Sequence, residues 1–345
     1  VWIKSRSGSS SPETQNHYLV DSVRGANGSV TKKLYSNSTG EENAGQNDAN
    51  NGVRFVRNGF ELTSNNDGTN DANAYVAWCW KAGGDKNTFN VDGVGYASAA
   101  AAPRMTTDSG INSDATACSV GTKQGFSILK YNGTGSNRVL AHGLTQAPEF
   151  CLFKRTNGDK YWLIAFPGTT QNSQAMADAS NYLKFDATTG GSVGGGQWLY
   201  TQSDRLILEN SSQGHNVSGG EYVAYCWHSV PGLQKFGRYT GSGSSGKFIE
   251  LGFRPALLMI KSTAAYGWAI VDTTRSDYNV KVASLYPNKT DAEYTGSGHE
   301  IDYLSNGFNL RNSNDRFNKS STTYIYAAWA EAPSIDLFGG VSNAR

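Results

Sequence analysis

One strand signature occurs three times in this chain. Tyr75-Val76-Ala77-Trp78-Cys79-Trp80 returns as Tyr222-Val223-Ala224-Tyr225-Cys226-Trp227 and again as Tyr324-Ile325-Tyr326-Ala327-Ala328-Trp329. Ahead of each stands a second echo: Asn58-Gly59-Phe60-Glu61-Leu62, Asp204-Arg205-Leu206-Ile207-Leu208 and Asn306-Gly307-Phe308-Asn309-Leu310. From the central apolar residue of that echo (Phe60, Leu206, Phe308) to the tyrosine that opens the next, the spacing is 15, 16 and 16 residues. Spacing held this closely implies one folding unit copied in tandem. Arrays of that kind present surface more often than they perform chemistry.

Further echoes fall into line. Val1-Trp2-Ile3-Lys4 matches Phe150-Cys151-Leu152-Phe153-Lys154 and Leu257-Leu258-Met259-Ile260-Lys261. Two copies also carry an opening strand, around Tyr131-Asn132-Gly133-Thr134-Gly135 and Tyr239-Thr240-Gly241-Ser242-Gly243. The first copy lacks it, because the chain begins at Val1 inside the unit. These segments are short, rich in Val, Ile, Tyr, Phe and Trp, and bounded by Asn, Gly, Ser, Thr and Asp, as strands are. Asn-Gly at 58–59 and 306–307 suits tight hairpin turns, where both residues tolerate positive φ. Both alternating side-chain sets of Tyr75–Trp80 are apolar, which predicts packing on both faces. The fold class is therefore all-β, a tandem array of antiparallel β-sandwich repeats. The boundaries fall at 1–84 for the first copy, 125–232 for the second and 233–333 for the third. Residues 85–124 read as a linker or extended arm, and 334–345 as a C-terminal tail with Ile335, Leu337 and Phe338 as docking residues.

Charge excludes several partners. There are 30 basic and 29 acidic residues, a net charge of +1, which gives no concentrated field for nucleic acid or an anionic membrane. No apolar run reaches the roughly 18 residues of a membrane helix. Cys79 and Cys226 share one repeat position where the third copy has Ala328, so they read as small buried hydrophobes rather than disulfide partners. None of His17, His142, His215, His228 or His299 stands in a metal-ligand spacing, and no cofactor is implied. His228, just after its strand, reads as the exposed end.

The candidate binding residues are few. Asp21-Ser22-Val23-Arg24 and Asp272-Thr273-Thr274-Arg275 share a D-x-x-R pattern at equivalent places, while the second copy has Ala165-Phe166-Pro167-Gly168. Bracing of a loop is the simpler role for Asp21, Arg24, Asp272 and Arg275; contact with a sugar hydroxyl is the alternative. Most tryptophans recur at strand positions, as core residues do. Trp198 has no counterpart and is the candidate for stacking on a sugar ring. Glu41, Glu42 and Glu221 are the carboxylates a polysaccharide depolymerase would draw on, but no acidic pair recurs across the copies. The residues favour a binding or structural role over an enzyme.

Val1-Trp2-Ile3-Lys4-Ser5-Arg6, Val20-Asp21-Ser22-Val23-Arg24-Gly25 and Tyr75-Val76-Ala77-Trp78-Cys79-Trp80-Lys81-Ala82-Gly83-Gly84 resemble a group of virion or tail-fibre-like proteins of marine tailed phages. Gly125-Phe126-Ser127-Ile128, His142-Gly143-Leu144 with Pro148, and the ending Ser342-Asn343-Ala344-Arg345 resemble the same group. The resemblance spans nearly the whole chain. It implies concanavalin-like or jelly-roll-like sandwiches in an appendage on the virion surface, a tail fibre, spike or similar part. It further implies partners among other virion proteins, copies of itself and a host-surface glycan or protein. Capsid decoration without receptor binding is the blander form of the same expectation. No catalytic residues come with it.

Overall fold

The computed structural model describes residues 1–7, 16–25, 31–42, 52–62, 68–70, 73–106, 115–166, 176–177, 183–188, 199–208, 215–331, 334–335 and 341–342. Among them every regular element is a strand. The chain forms two compact units, one made mainly of residues 1–228 and the other mainly of 229–345. The first therefore holds copies one and two, and the second holds copy three.

One sheet core is built three times. In copy three the spatial order is Gln234–Thr240, Thr323–Ala330, Pro255–Ser262, Ala269–Asp272. Copy two runs Phe126–Asn132, Glu221–Trp227, Phe150–Arg155, Leu163–Ala165, Leu183–Lys184 in the same sense. Copy one runs Tyr75–Trp78, Trp2–Ser5, Tyr18–Leu19, Leu34–Tyr35. Registers agree as well: Lys4 lies opposite Val76, Lys154 opposite Val223 and Lys261 opposite Ile325. A second sheet closes copy two with Arg138–Ala141, Arg205–Leu208, Leu199–Thr201 and Met176–Ala177. Copy three has Lys247–Glu250, Gly307–Leu310 and Ile301–Leu304, whereas the described residues of copy one form the hairpin Val53–Val56 with Gly59–Leu62.

The sandwich interiors follow from the alternation of side chains. Tyr222, Ala224 and Cys226 point into the core of copy two with Leu129, Tyr131, Leu206 and Leu208. Tyr324, Tyr326 and Ala328 do the same in copy three beside Tyr239, Phe308 and Leu310. Each opening-strand tyrosine stacks on the signature tyrosine beside it, Tyr131 on Tyr222 at 5.2 Å and Tyr239 on Tyr324 at 5.0 Å. The hydroxyls are spoken for: Tyr131 donates to the His215 carbonyl at 2.7 Å and Tyr239 to the Phe317 carbonyl at 2.6 Å. A buried Tyr needs such an acceptor.

Both faces of the signature strand are covered in copies two and three, since Val223, Tyr225, Trp227 and Ile325 are buried too. Copy one departs from this. Val76 and Trp78 are buried, but Ala77 and Cys79 are exposed. Cys226 is thus the small buried hydrophobe expected, and Cys79 is exposed instead.

Within the first unit, the outer face of copy one packs on copy two through rings. Trp2 meets Phe185 at 5.5 Å, Trp80 meets Trp227 at 6.2 Å, and Trp162 donates from Nε1 to the Tyr35 carbonyl at 2.9 Å. Trp2, Trp162, Trp227, Trp268 and Trp329 are all buried, as core residues are, whereas Trp80, their counterpart in the first signature, is half-buried. Aromatic pairs of this geometry add about 0.5–1.5 kcal/mol each beyond the area they bury.

Three local features differ from the pattern the residues suggest. The stretch that reads as a linker supplies Phe89–Val91, Val94–Tyr96 and Ala117–Gly121, which widen the large sheet of copy two to eight strands. Ala99, Ala102 and Met105 from it are buried in the same core. At the two Asn-Gly sites neither residue takes positive φ. The turns are Arg57-Asn58 and Ser305-Asn306, and each glycine is already the first residue of its strand. Gly307 is required for a different reason, because a Cβ there would lie 2.1 Å from the Ile249 carbonyl oxygen. Third, His228 is buried rather than exposed, with Nε2 3.3 Å from the Thr145 hydroxyl. In the tail, Ser334–Ile335 pairs with Val341–Ser342, while Leu337 and Phe338 lie outside the described residues.

The recurrent lysine is the unusual core residue. Lys4, Lys154 and Lys261 are fully buried, and each ammonium donates to main-chain carbonyls. Lys154 bonds Thr39 O at 2.7 Å and Lys160 O at 2.5 Å; Lys261 bonds Ser262 O at 2.6 Å and Ala264 O at 3.0 Å. Burial pushes Lys4 and Lys154 down to about 8 and, with Arg316 nearby, Lys261 to about 7. Above those values the folded chain has released protons that the unfolded chain holds until about 10.4. Stability therefore rises with pH across that window, by about 1.4 kcal/mol per pH unit for each lysine. Denaturant titrations between about pH 8 and pH 10 should show the rise, and Lys261→Met should remove the share belonging to the second unit.

Candidate functional site

The D-x-x-R pairs close the strand that follows the lysine strand. In copy one, Asp21 follows Tyr18–Leu19 and its Oδ1 accepts the Arg24 amide at 2.8 Å, which folds the chain back on itself. Arg24 then donates from Nε to Asp21 Oδ2 at 2.5 Å, from Nη1 to Glu42 Oε1 at 3.0 Å and from Nη2 to the Leu19 carbonyl at 2.9 Å. Copy three repeats this bond for bond. Arg275 N meets Asp272 Oδ1 at 2.9 Å, Nε meets Asp272 Oδ2 at 2.6 Å, Nη1 meets Glu293 Oε2 at 3.0 Å and Nη2 meets the Ile270 carbonyl at 3.0 Å.

Both guanidinium side chains are 0% exposed and both aspartates 3%. With each guanidinium nitrogen bonded inside the fold and none of the side chain reaching solvent, neither arginine is open to an external ligand. Asp21, Arg24, Asp272 and Arg275 are thus braces, the simpler of the two roles their spacing suggests. In copy one the brace also reaches copy two: the Tyr225 hydroxyl donates to Asp21 Oδ2 at 2.7 Å and accepts from Arg24 Nη2 at 3.1 Å. Burial raises the Asp21 carboxyl, but the Arg24 charge, the Tyr225 hydroxyl and the Arg24 amide outweigh it, leaving that carboxyl below its usual value.

Glu42 and Glu293 complete the braces and were not singled out as such by residue type. Their signal is a second constant spacing, since each lies 18 residues after its arginine. Among the depolymerase carboxylates, Glu42 is therefore committed to Arg24 and Lys32. Glu41 and Glu221 are exposed, the latter's amide donating to Asn157 Oδ1 at 2.9 Å. Trp198 lies outside the described residues. Among the described residues no group of three His, Cys, Asp or Glu is placed to hold a metal ion, and no helix is long and apolar enough to cross a membrane.

What the braces hold is a pair of loops, and the loop after Asp272 carries Tyr278, which is 84% exposed. It is the most solvent-facing large hydrophobic side chain among the described residues.

A family model described as "Domain of unknown function (DUF7483)" matches residues 1–333. The chain belongs to the DUF7483 family. Among curated proteins and among solved structures, none matches it. In this DUF7483 chain the family match covers all three strand signatures together with both arginine braces.

Removing one partner from a buried ion pair leaves the other charge stranded at a cost of about 3–5 kcal/mol. Arg275→Met should destabilise the second unit by that amount, and pairing it with Asp272→Leu should recover much of the loss. A double-mutant cycle in urea checks this. For Asp21 the sign with pH is opposite to that of the lysines. A depressed carboxyl stabilises above its unfolded value of about 3.9, and that contribution disappears as pH falls through the lower folded value.

Proposed function

We propose that this chain is a structural and adhesive part of a phage particle, a tail fibre, spike or similar appendage that presents loops to the host surface. The observation that carries the reading is the use made of the recurrent charged residues. Both arginine clusters are buried braces beneath loops, an investment in holding a surface in shape rather than in moving protons. Rigid sheets below and variable loops above is the usual division of labour in binding scaffolds. Loops rich in uncharged polar residues, with only 17% charged residues overall, suit contact with hydroxyl-rich glycans. Tyr278 is the contact residue favoured on the second unit, because an exposed aromatic ring can lie flat on the apolar face of a sugar.

Immunogold labelling of intact particles with an antibody to this chain tests the proposal. Label at the distal end of the tail is the expected result. Label spread over the capsid would replace attachment with decoration, and absence from particles would contradict the reading entirely. Tyr278→Ala should then lower adsorption to host cells while leaving the melting temperature unchanged.

A further inference from the structure

Copy two sets two cysteines face to face across neighbouring strands of its large sheet. Cys151 lies opposite Cys226 in the register of Phe150–Arg155 on Glu221–Trp227. Main-chain bonds at the strand ends fix what kind of pair this is. The His228 amide donates to the Gly125 carbonyl at 3.0 Å on one side, and the Thr156 amide donates to the Glu221 carbonyl at 2.7 Å on the other. Successive residues of a strand turn their main-chain groups to alternate sides. Positions 222, 224, 226 and 228 therefore bond toward Phe126–Asn132, and 221, 223, 225 and 227 toward Phe150–Arg155. Cys226 directs its amide and carbonyl at Ser127 and meets Cys151 as a non-hydrogen-bonded pair. Such pairs bring the Cα atoms to about 4.5 Å, within the span of about 4.4–6.8 Å that a disulfide bridges.

Both side chains enter one core, among Leu129, Leu206 and Leu208, and both residues are 0% exposed. Copy three fills the same two places with Leu258 and Ala328, again opposite one another and buried. Apolar bulk thus satisfies the fold at this place, and a pair of thiols adds a chemistry that packing does not require. No other thiol competes for either sulfur. Cys118 pairs with Leu129, which sets it two strands and two residues away from Cys226, and Cys79 is exposed in copy one. In the structure Cys151 and Cys226 are thiols. Burial, with the Cys226 thiol beside it, pushes the Cys151 thiol well above its ordinary value. The closed core therefore neither forms the attacking thiolate nor admits an oxidant, and chemistry at this pair belongs to the chain before its core has closed.

We infer that Cys151 and Cys226 are a cross-linking site: they close to a disulfide as copy two folds in the presence of a low-molecular-weight disulfide, and the finished core then seals the bond. One cysteine thiolate attacks the small disulfide, forming a mixed disulfide and releasing the first small thiol. The other cysteine attacks the protein sulfur of the mixed disulfide and releases the second. Two protein thiols are oxidised to one S–S bond, and one small disulfide is reduced to two thiols that take up the two protons. A close-packed core has no room for the mixed disulfide, so pairing of the strands selects the second step. The bond also fixes register, because a slip of one residue turns one cysteine to the opposite face.

The test starts from the Val1–Arg345 chain, reduced and unfolded in urea, then refolded in a buffer of reduced and oxidised glutathione. After alkylation in denaturant and digestion, mass spectrometry should find the peptides of Cys151 and Cys226 linked, with Cys79 and Cys118 alkylated. The linked chain should lose its bond to dithiothreitol about a hundredfold or more slowly in native buffer than in urea, where the core is open. The Cys226→Ala variant, which carries the residue copy three has at this place, should refold with its remaining cysteines all alkylated. A refolded chain with a native melting curve and every cysteine alkylated would overturn the inference, and so would a link between any other two cysteines. Reduction as fast in native buffer as in urea would also overturn it, since the bond is then not enclosed by the core.

Discussion

A strand that is apolar on both alternating sets of side chains has to be covered twice, and most of this architecture follows from that demand. The signature strand meets it on the inside by facing a second sheet, where Tyr222, Ala224 and Cys226 or Tyr324, Tyr326 and Ala328 enter the cores. On the outside, copy two meets it with copy one. Trp2, Trp80, Phe185 and Trp227 form a ring-to-ring contact inside the first unit, and Tyr225 is bonded into the Asp21–Arg24 brace. Burial of the strand thus dictates both the sandwich and the packing of one copy on the next.

The polar residues in these interiors serve the same end. A buried lysine is costly unless its donors are met, and Lys4, Lys154 and Lys261 meet theirs with carbonyls that the strand ends leave over. The two arginine braces do likewise for loops, and the asparagines at 216 and 318 for the turns of the opening strands. Each device recurs because the backbone problem recurs. Where the second copy has Ala165 in place of the aspartate, that residue is buried, an apolar solution to the same position, and Gly168, in place of the arginine, lies outside the described residues.

Much of this was legible in the residues because strand periodicity is a local signal. The succession of strands along the chain, the equivalence of the three lysine strands and the bracing role of the D-x-x-R pairs all follow from short patterns repeated at fixed spacing. Three features were not. Residues 85–124 contain strands only three to five residues long beside an alanine run, too short to show a period, so their place in the core of copy two is set by tertiary contact. Glu42 and Glu293 sit 18 residues from the arginines they neutralise, a distance at which an acidic residue carries no local meaning. The burial of His228 and exposure of Cys79 depend on neighbours brought in from elsewhere in the fold. Cys79 in particular has the same local sequence as Cys226 and the opposite environment.

The central claim is that one strand, present three times, is enclosed between two neighbouring strands in copies two and three. Native-state hydrogen exchange resolved to single amides tests it directly, since exchange protection tracks ladder bonds and burial. The account predicts slow exchange along the whole of Glu221–Trp227 and Thr323–Ala330, whose amides are bonded on both sides. Fast exchange along either strand would contradict it.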